Sequence, residues 1–427
     1  MSRVTLAGFN ADRVFMSEGA TPETISAAYA RISHSAADVA DLRKEAVLDV
    51  AKARESNDKI VYKMGHSSIA EHAVFNIDVT GISRLAAEEV HQIRVASYTE
   101  KSQRYVKSDG AFVIPEECED KEQFKEILSR LFMFYQELCD LGIDKEDARY
   151  VLPLATETQF GMTINARSLE NMIRNLSLSE YKEIRSLAND LYLCTQKLVP
   201  SLIKYTEPTE YEVRKKLKLI ELVGENPSRY REANCPEVRL LEHSGFIMSN
   251  ALAAAMYQYY DNTSFIDIPV PSDAGHILFD GKKPFDKVDK TLEFTHFTFE
   301  LVVSASCYAQ LKRHRFTSQI AQQYSIDIDP YVPESIIKNP EAFELFSRAM
   351  RMAYQLYSEE GLEYALTNAH RRKVLLHLNG RELYHFISLR EDVHAQKEIR
   401  DIAKKMHCLA VKADSYLFSN LAPKKMS

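Results

Sequence analysis

Three cationic side chains stand together at Arg313, His314 and Arg315, although the chain is acidic, with a formal net charge of −7. They follow Gln310 at the end of a moderately apolar segment, FTFELVVSASCYAQLK, and the pattern places them at a helix C-terminus. Cations at that end interact favourably with the helix dipole, so a solvated helix end is one interpretation. The other is a binding site for phosphates or an electron-rich ring, because guanidinium groups bind phosphate with two hydrogen bonds and stack on planar rings.

A loop in the first half of the chain carries a second polar group. Its residues, within VASYTEKSQRYV, are Glu100, Lys101, Ser102, Gln103 and Arg104. Serine, glutamine and arginine on a short loop can hold a phosphate, although such a loop is more often only a polar connection. The corresponding stretch of the second half, AQQYSI, has no charged residue, and the first half replaces the basic triplet with Gln92, Ile93 and Arg94.

Two further arginines distinguish the halves. Arg390 lies nine residues after the arginine of an Asn-x-Arg sequence, and Leu176 stands at the same count in the first half. Conversely, Arg149 in the segment DARYVLPL corresponds to Glu363 in LEYALTN. Each half therefore keeps cationic groups that the other lacks.

The two halves are copies of one domain. The segments EIRSLANDLYLC, from Glu183, and EIRDIAKKMHCL, from Glu398, place apolar residues at the same spacings, 215 residues apart. That pattern predicts the buried face of one amphipathic helix, present twice. An Asn-x-Arg sequence precedes each helix, and the strand-like segments FNIDV and FTFEL lie upstream. Four motifs in the same order indicate duplication followed by divergence.

The repeat predicts an α+β fold of two tandem copies, each with a mostly antiparallel sheet and long helices. The first copy covers residues 1–205, the second covers residues 236–427, and the polar segment 206–235 links them. A chain of 427 residues is long enough for two domains of about 200 residues each.

Composition argues against several classes of protein. The 54 basic and 61 acidic residues argue against broad nucleic-acid binding and leave room for a small anionic ligand. No apolar run approaches the roughly 20 residues that span a membrane, and the N-terminal segment has no apolar signal core. The six scattered cysteines lack zinc-binding spacing, which predicts no metal site and a reducing cytoplasm. Because no GxGxxG is present, we do not expect a dinucleotide on a Rossmann turn.

In combination, these segments resemble the flavin-dependent thymidylate synthases. That family carries Arg-His-Arg followed by a loop of the type S-x-N-x-x-S-x-R-Y; RHRFTS resembles the first part and VASYTEKSQRYV the second. HSSIAEH, from His66, resembles the family's H-x-S-P-F-E-H, and FVIP, DARYVLPL, NARSL and SLREDVHAQKEIR are also family-like. The resemblance covers nearly the whole chain as two copies. The usual member has one copy and forms a tetramer whose sites are shared between subunits.

The resemblance implies reductive methylation of dUMP at C5, giving dTMP. Methylenetetrahydrofolate would give the carbon and NADPH the electrons, through FAD, without attack on the ring by a nucleophile of the enzyme. Such chemistry depends on positioning and on electrostatic stabilisation of a uracil anion. The implied FAD-binding residues are His66, Ser68, Asn165, Arg167, Asn171, Arg313, His314, Arg315, Asn379, Arg381 and His385. The residues implied for dUMP are Gln310, Arg313, Arg149, the loop from Glu100 to Arg104, and Arg390, which would be catalytic.

The family's division of these residues between subunits matches the losses in the two copies. The second copy keeps Gln310, the triplet and Arg390, and the first keeps Arg149 and the loop, which implies one kind of composite site. The opposite pairing lacks nearly every ligand; it would combine Glu89, Gln92 and Leu176 with Gln323, Ser325 and Glu363. Two tandem chains would fill the four positions of a single-copy tetramer, so the resemblance implies a homodimer.

The second copy also departs from the family pattern. Val288 stands where the first copy has His66, and Gln319, Ile320 and Ala321 interrupt the loop pattern. Two alternatives therefore stay open. One is methylation of a different uracil nucleotide, and the other is a flavin- or nucleotide-binding protein without turnover.

Overall fold

The protein is described by a computed structural model that covers residues 3–15, 20–225, 236–271, 274–279, 282–283 and 286–418. Residues 226–235 of the predicted linker, including Cys235, lie outside the described residues. Among those that are described, no helix is both long and apolar enough to cross a membrane.

The chain divides into two compact units. Unit 1 comprises Met1–Lys145, Leu152–Arg231 and Arg351–Leu366, and unit 2 comprises Glu146–Val151, Glu232–Met350 and Thr367–Ser427. Each unit therefore holds most of one predicted copy together with a short segment of the other. The boundaries of the copies themselves stay predictions.

Each unit contains a four-stranded sheet in which all neighbouring strands are antiparallel. The strands of unit 1 are β1 (Arg3–Phe9), β2 (Val74–Ser83), β3 (Ala96–Glu100) and β4 (Glu157–Asn165), in the order β1-β2-β4-β3. Those of unit 2 are β5 (Val238–His243), β6 (His296–Ser304), β7 (Ser318–Ala321) and β8 (Arg371–Asn379), in the order β5-β6-β8-β7. The identical order confirms the predicted α+β fold of two tandem copies.

Helices surround these strands in both halves of the chain. In the first they are α1 (Pro22–Ile32), α2 (Val39–Leu48), α3 (Val50–Asn57), α4 (Arg84–Val90), α5 (Lys121–Asp140), α6 (Lys145–Ala148), α7 (Ala166–Leu176), α8 (Lys182–Thr195) and α9 (Glu210–Glu225). In the second they are α10 (Ile247–Tyr257), α11 (Ala305–Leu311), α12 (Glu334–Ile337), α13 (Pro340–Glu360), α14 (Gly380–Arg390), α15 (Lys397–Ala413) and α16 (Ser415–Phe418). Helix α9 lies within the segment predicted as a linker.

The repeated apolar faces are buried, as their spacing predicts. Ile184, Leu187 and Leu191 of α8 are at most 1% exposed, and Ile399 and Met406 of α15 are fully buried. In unit 2, α14 and α15 pack on aromatic and branched residues that alternate along β6 and β8. The sheet and these two helices form the core that positions the site.

Helix α14 begins where only glycine fits. A Cβ atom on Gly380 would collide with Oγ1 of Thr295 and lie 3.1 Å from the carbonyl oxygen of Leu292. The first copy has Ala166 at the corresponding position. The backbone at Gly380 therefore packs closely against Leu292 and Thr295 at the start of the helix that carries His385 and Arg390.

Candidate active site

A cleft of about 710 Å³ opens in unit 2 beside the basic triplet. Seven of the predicted site residues line it: Arg313, His314, Arg315, Asn379, Arg381, His385 and Arg390. Its lining carries six arginine or lysine side chains against three acidic ones, so the local charge is positive in an acidic protein. Such a cleft suits an anionic ligand, as the triplet itself indicates.

Two helix ends bring these residues together. Strand β6 runs into α11, whose first turn is capped by the Ser304 hydroxyl, and the triplet follows the C-terminus of α11 as predicted. Strand β8 runs into α14, where the Asn379 side chain accepts a hydrogen bond from the Glu382 amide at 2.8 Å. The asparagine of Asn-x-Arg is therefore a helix cap, a role that the Asn-x-x-Glu spacing indicates but that was not predicted.

His314 is buried and neutral, which corrects the count of three cations in the triplet. Its Nδ1 lies 3.0 Å from a carboxylate oxygen of Glu382, and its Nε2 accepts a hydrogen bond from Arg390 Nε at 3.0 Å. Because Nε2 accepts, the proton must be on Nδ1. Burial lowers the pKa of His314 to about 4, although the Glu382 hydrogen bond acts in the opposite direction.

We expect His314 to make the protein less stable in acid. A histidine whose pKa falls on folding contributes stability above its ordinary pKa near 6.5, and that stability is lost as the pH falls towards about 4. Between pH 7 and pH 5 the loss from this group should be roughly 2 kcal/mol. Urea unfolding of the wild type and of His314→Asn at both pH values would measure it. An equal pH dependence in both proteins would contradict the assignment.

Arg390 is held in place by two hydrogen bonds. Besides the bond to His314, Nη2 donates to the backbone oxygen of Gln310 at 3.2 Å. Arg390 ends α14, and Leu176 ends α7, which has the same length and the same asparagine cap. The two positions are thus equivalent, and the arginine is present only in the copy that carries the triplet.

His314, Glu382 and His385 place their ligand atoms within 4.8 Å of one another, a spacing that a metal ion could use. A neutral histidine that binds a metal through Nδ1 carries its proton on Nε2. Here Nε2 faces the N–H of Arg390 and accepts its hydrogen bond. The donor set therefore does not fit a metal.

Arg149 of the first copy belongs to unit 2. It is 6% exposed and begins a 3₁₀ turn, Arg149–Val151, whose first carbonyl accepts a hydrogen bond from Asn368 at 2.9 Å. Burial raises the pKa of Cys307 in α11, whereas Arg390 and Arg149 both act to lower it.

The segment from Glu100 to Arg104 lies in unit 1, where Glu100 is the last residue of β3 and the loop follows it. Its Glu100 carboxylate accepts hydrogen bonds from Arg84 and, at 3.0 Å, from Thr158. The Ser102 hydroxyl accepts the Arg104 amide at 3.2 Å. Glu100 therefore anchors the loop by an ion pair to α4.

The remaining predicted flavin residues also lie in unit 1. Arg167 and Asn171 line a smaller cavity of about 270 Å³. Asn165 caps α7, as Asn379 caps α14. The exposed His66 and Ser68 lie at the 3₁₀ turn Ser67–His72, outside the lining of that cavity.

Comparison with known proteins places these features in a family. Residues 16–201 and 282–414 match the family described as "Thymidylate synthase complementing protein". UPF0159 protein Ta1429 of Thermoplasma acidophilum is 26% identical over 424 residues, covering 82% of this chain and 84% of that protein. A flavin-dependent thymidylate synthase of Geobacter sulfurreducens is 33% identical over 196 residues, covering 44% of this chain and 83% of that protein.

The similarity to solved structures covers about half of this chain. Thymidylate synthase X from Helicobacter pylori, crystallised with FAD and dUMP, has a TM-score of 0.36 at 22% identity, covering 48% of this chain and 100% of that one. The two matched sequence segments fall one in each predicted copy, and the Geobacter relative corresponds to less than half of this chain. The chain therefore belongs to the flavin-dependent thymidylate synthase family, as two tandem copies of its domain.

Proposed function

We propose that this protein converts dUMP to dTMP by FAD-dependent reductive methylation, with methylenetetrahydrofolate as carbon donor and NADPH as reductant. The observation that carries the proposal is the fixed guanidinium of Arg390 at a basic cleft, in the one copy that keeps the triplet. Membership of the family supplies the reaction class.

The roles follow from the charges that the reaction creates. Bond formation between C5 and the methylene carbon of the folate requires the uracil ring to gain negative charge, and a positioned cation stabilises that charge without reorganising. Arg390 takes this role. The neutral His314, with Nδ1–H directed to Glu382, holds the Arg390 side chain by accepting its Nε–H. Its contribution is positioning rather than proton transfer, since its pKa is near 4.

The residues of the cleft fit a flavin dinucleotide. Arg313 and Arg315 are exposed at its edge, Lys282 and Lys287 add positive charge, and Tyr384 adds an aromatic surface. Guanidinium and ammonium groups suit the diphosphate, and arginine also stacks on a planar ring. When bound, FAD supplies the hydride of the reduction.

We further propose composite sites built from both copies. The support is the complementary retention of motifs: the first copy keeps Arg149 and the loop from Glu100 to Arg104, and the second keeps Gln310, the triplet and Arg390. A homodimer with two such sites, rather than four, then corresponds to the single-copy tetramer.

Turnover tests the proposal directly. Purified protein should be yellow, and its NADPH-reduced flavin should be reoxidised without oxygen only when methylenetetrahydrofolate and dUMP are both present. Formation of dTMP and growth of a thymidine-requiring strain on this gene would complete the test. Reoxidation with UMP instead of dUMP would favour a different uracil nucleotide. Tight flavin binding without product from either nucleotide would favour a binding protein.

Flavin content should depend on the two exposed arginines of the triplet. Arg313→Ala combined with Arg315→Ala is expected to lower the flavin bound per chain at least tenfold, because two charge-assisted contacts of about 1.5–3 kcal/mol are lost. The absorbance ratio at 450 and 280 nm of protein purified with excess FAD measures this. Arg94→Ala, at the position of Arg315 in the first copy, is the matched control. Unchanged flavin content in the double variant would refute the assignment.

A further inference from the structure

A chain of buried hydrogen bonds runs through unit 2 from Gln310, whose backbone oxygen holds the cleft residue Arg390. Gln310 Nε2 donates to Gln396 Oε1 at 3.0 Å, Gln396 Nε2 donates to the Tyr150 hydroxyl, and that hydroxyl donates to Glu398 at 2.8 Å. All four residues are 7% exposed or less. Buried polar groups linked in this way have few alternative orientations.

Glu398 ends this chain. One oxygen of its carboxyl group accepts from the Ser304 amide at 2.9 Å and the other from the Ser304 hydroxyl at 2.5 Å. Burial raises the pKa of Glu398, and the hydrogen bonds from Ser304 and Tyr150 act to lower it. The amide nitrogen of Gln396 can only donate, so the Tyr150 hydroxyl accepts from it and directs its own proton to Glu398.

The consequence reaches Gln310. Gln396 has its amide N–H toward Tyr150, so its oxygen accepts from Gln310. One of the two N–H groups of Gln310 Nε2 is thereby committed to Gln396, which fixes where Oε1 lies. The backbone oxygen of the same Gln310 holds Arg390 at 3.2 Å.

Unit 1 contains the same arrangement of glutamate, serine and tyrosine, which we call the anchor. It lacks the extension, which is the pair of glutamines, Gln396 and Gln310, that continues the chain in unit 2. Glu183 accepts from the Ser83 amide and hydroxyl, both at 2.7 Å, and from the Tyr364 hydroxyl at 2.6 Å. Glutamate, serine and tyrosine thus form the same anchor in both units, and the tyrosine comes from the other half of the sequence each time.

The two units differ at the positions of Gln396 and Gln310. Tyr181 stands in place of Gln396, and Glu89 stands in place of Gln310. An anchor kept in both units is explained by folding alone. Of the two units, only the one that carries the triplet and Arg390 has the glutamine extension. A folding role common to both units therefore does not explain it.

We infer that Gln396 and Tyr150 are positioning residues that hold the Gln310 amide in one orientation, so that the site selects a hydrogen-bond donor of the nucleotide. The inference rests on the proposed function. A fixed acceptor discriminates against an analogue that lacks its donor, because the buried acceptor is then left unpaired. An amide free to rotate would present either end and lose that selectivity.

Tyr150→Phe and Tyr364→Phe are a matched pair for the test. Each removes the hydroxyl of a fully buried tyrosine that donates to a glutamate, so both should lower the melting temperature by a similar amount. Only Tyr150→Phe should raise the Kd for dUMP, by about fivefold to tenfold. Calorimetry on the flavin-loaded protein measures the Kd, and flavin content should stay at the wild-type level in both.

Selectivity is the readout that a purely structural role would not change. Two analogues of dUMP each lack one donor: 3-methyl-dUMP lacks the N3–H, and 3′-deoxy-dUMP lacks the sugar hydroxyl. We expect the wild type to bind one of these two analogues less tightly than it binds dUMP. Tyr150→Phe should reduce that difference at least threefold. Gln396→Met, which removes the extension and leaves the anchor, should do the same with a smaller loss of melting temperature.

Equal effects of Tyr150→Phe and Tyr364→Phe on nucleotide affinity, or unchanged selectivity in Gln396→Met, would overturn the inference. Failure of the wild type to bind dUMP would instead overturn the proposed function.

Discussion

Arg390→Ala is expected to lower kcat for dTMP formation about 100- to 1000-fold, the loss typical of removing one preorganised donor from developing negative charge. Its Kd for dUMP should rise less than tenfold, because the charge that Arg390 stabilises exists mainly in the transition state. The hydrogen bonds to His314 and to the backbone of Gln310 hold the guanidinium before substrate arrives. Single-turnover reoxidation of the flavin measures the chemical step, and calorimetry measures the Kd.

The equivalent position in the first copy provides the control. Leu176 is 4% exposed, so Leu176→Ala would leave a cavity and destabilise unit 1 by about 2–5 kcal/mol. Leu176→Met conserves volume and is the cleaner comparison. It should leave both the single-turnover rate and the Kd unchanged. A rate within threefold of wild type for Arg390→Ala would show that this arginine is only a surface cation of α14.

Local patterns predicted the elements of the fold, because periodicity is a property of neighbouring residues. FNIDV and FTFEL lie in β2 and β6, and the repeated apolar spacing gives α8 and α15. The residues that each unit takes from the other half, 146–151 and 351–366, were not predicted. Their hydrogen bonds join residues far apart in the sequence, 181 positions for Tyr364 and Glu183 and 248 for Tyr150 and Glu398, and no local pattern records such a pairing.

The charge and the hydrogen bonds of the site residues also depend on contacts made in the folded protein. From the sequence, His314 was predicted to be a cation, but its burial next to Glu382 and Arg390 keeps it neutral. Glu183 and Glu398 were recognised as the first residues of two repeated segments, but their role as hydrogen-bond acceptors was not predicted. The repeat was visible, but the tyrosines that complete each anchor lie elsewhere in the sequence.

Arg104→Ala is expected to raise the Kd for dUMP roughly tenfold or more, which corresponds to the loss of a charge-assisted phosphate contact of about 1.5–3 kcal/mol. The proposal rests on the loop motif of the first copy, in which Glu100 is anchored by Arg84 and Ser102 accepts the Arg104 amide. Unlike Arg390, Arg104 would bind the phosphate equally in the ground state and the transition state. Its loss should therefore raise the KM and leave kcat nearly unchanged.

Ser325, the counterpart of Arg104 in the second copy, supplies the internal control. Its hydroxyl accepts the Asp327 amide at 3.1 Å, so Ser325→Ala removes one local hydrogen bond and no charge. Calorimetry with dUMP should show an unchanged Kd for Ser325→Ala and a raised one for Arg104→Ala, with two sites per homodimer. Four tight sites per dimer would mean that both pairings of the copies bind nucleotide. Equal effects at Arg104 and Ser325 would show that the loop is only a polar connection, and the composite site would fail whatever the family membership implies.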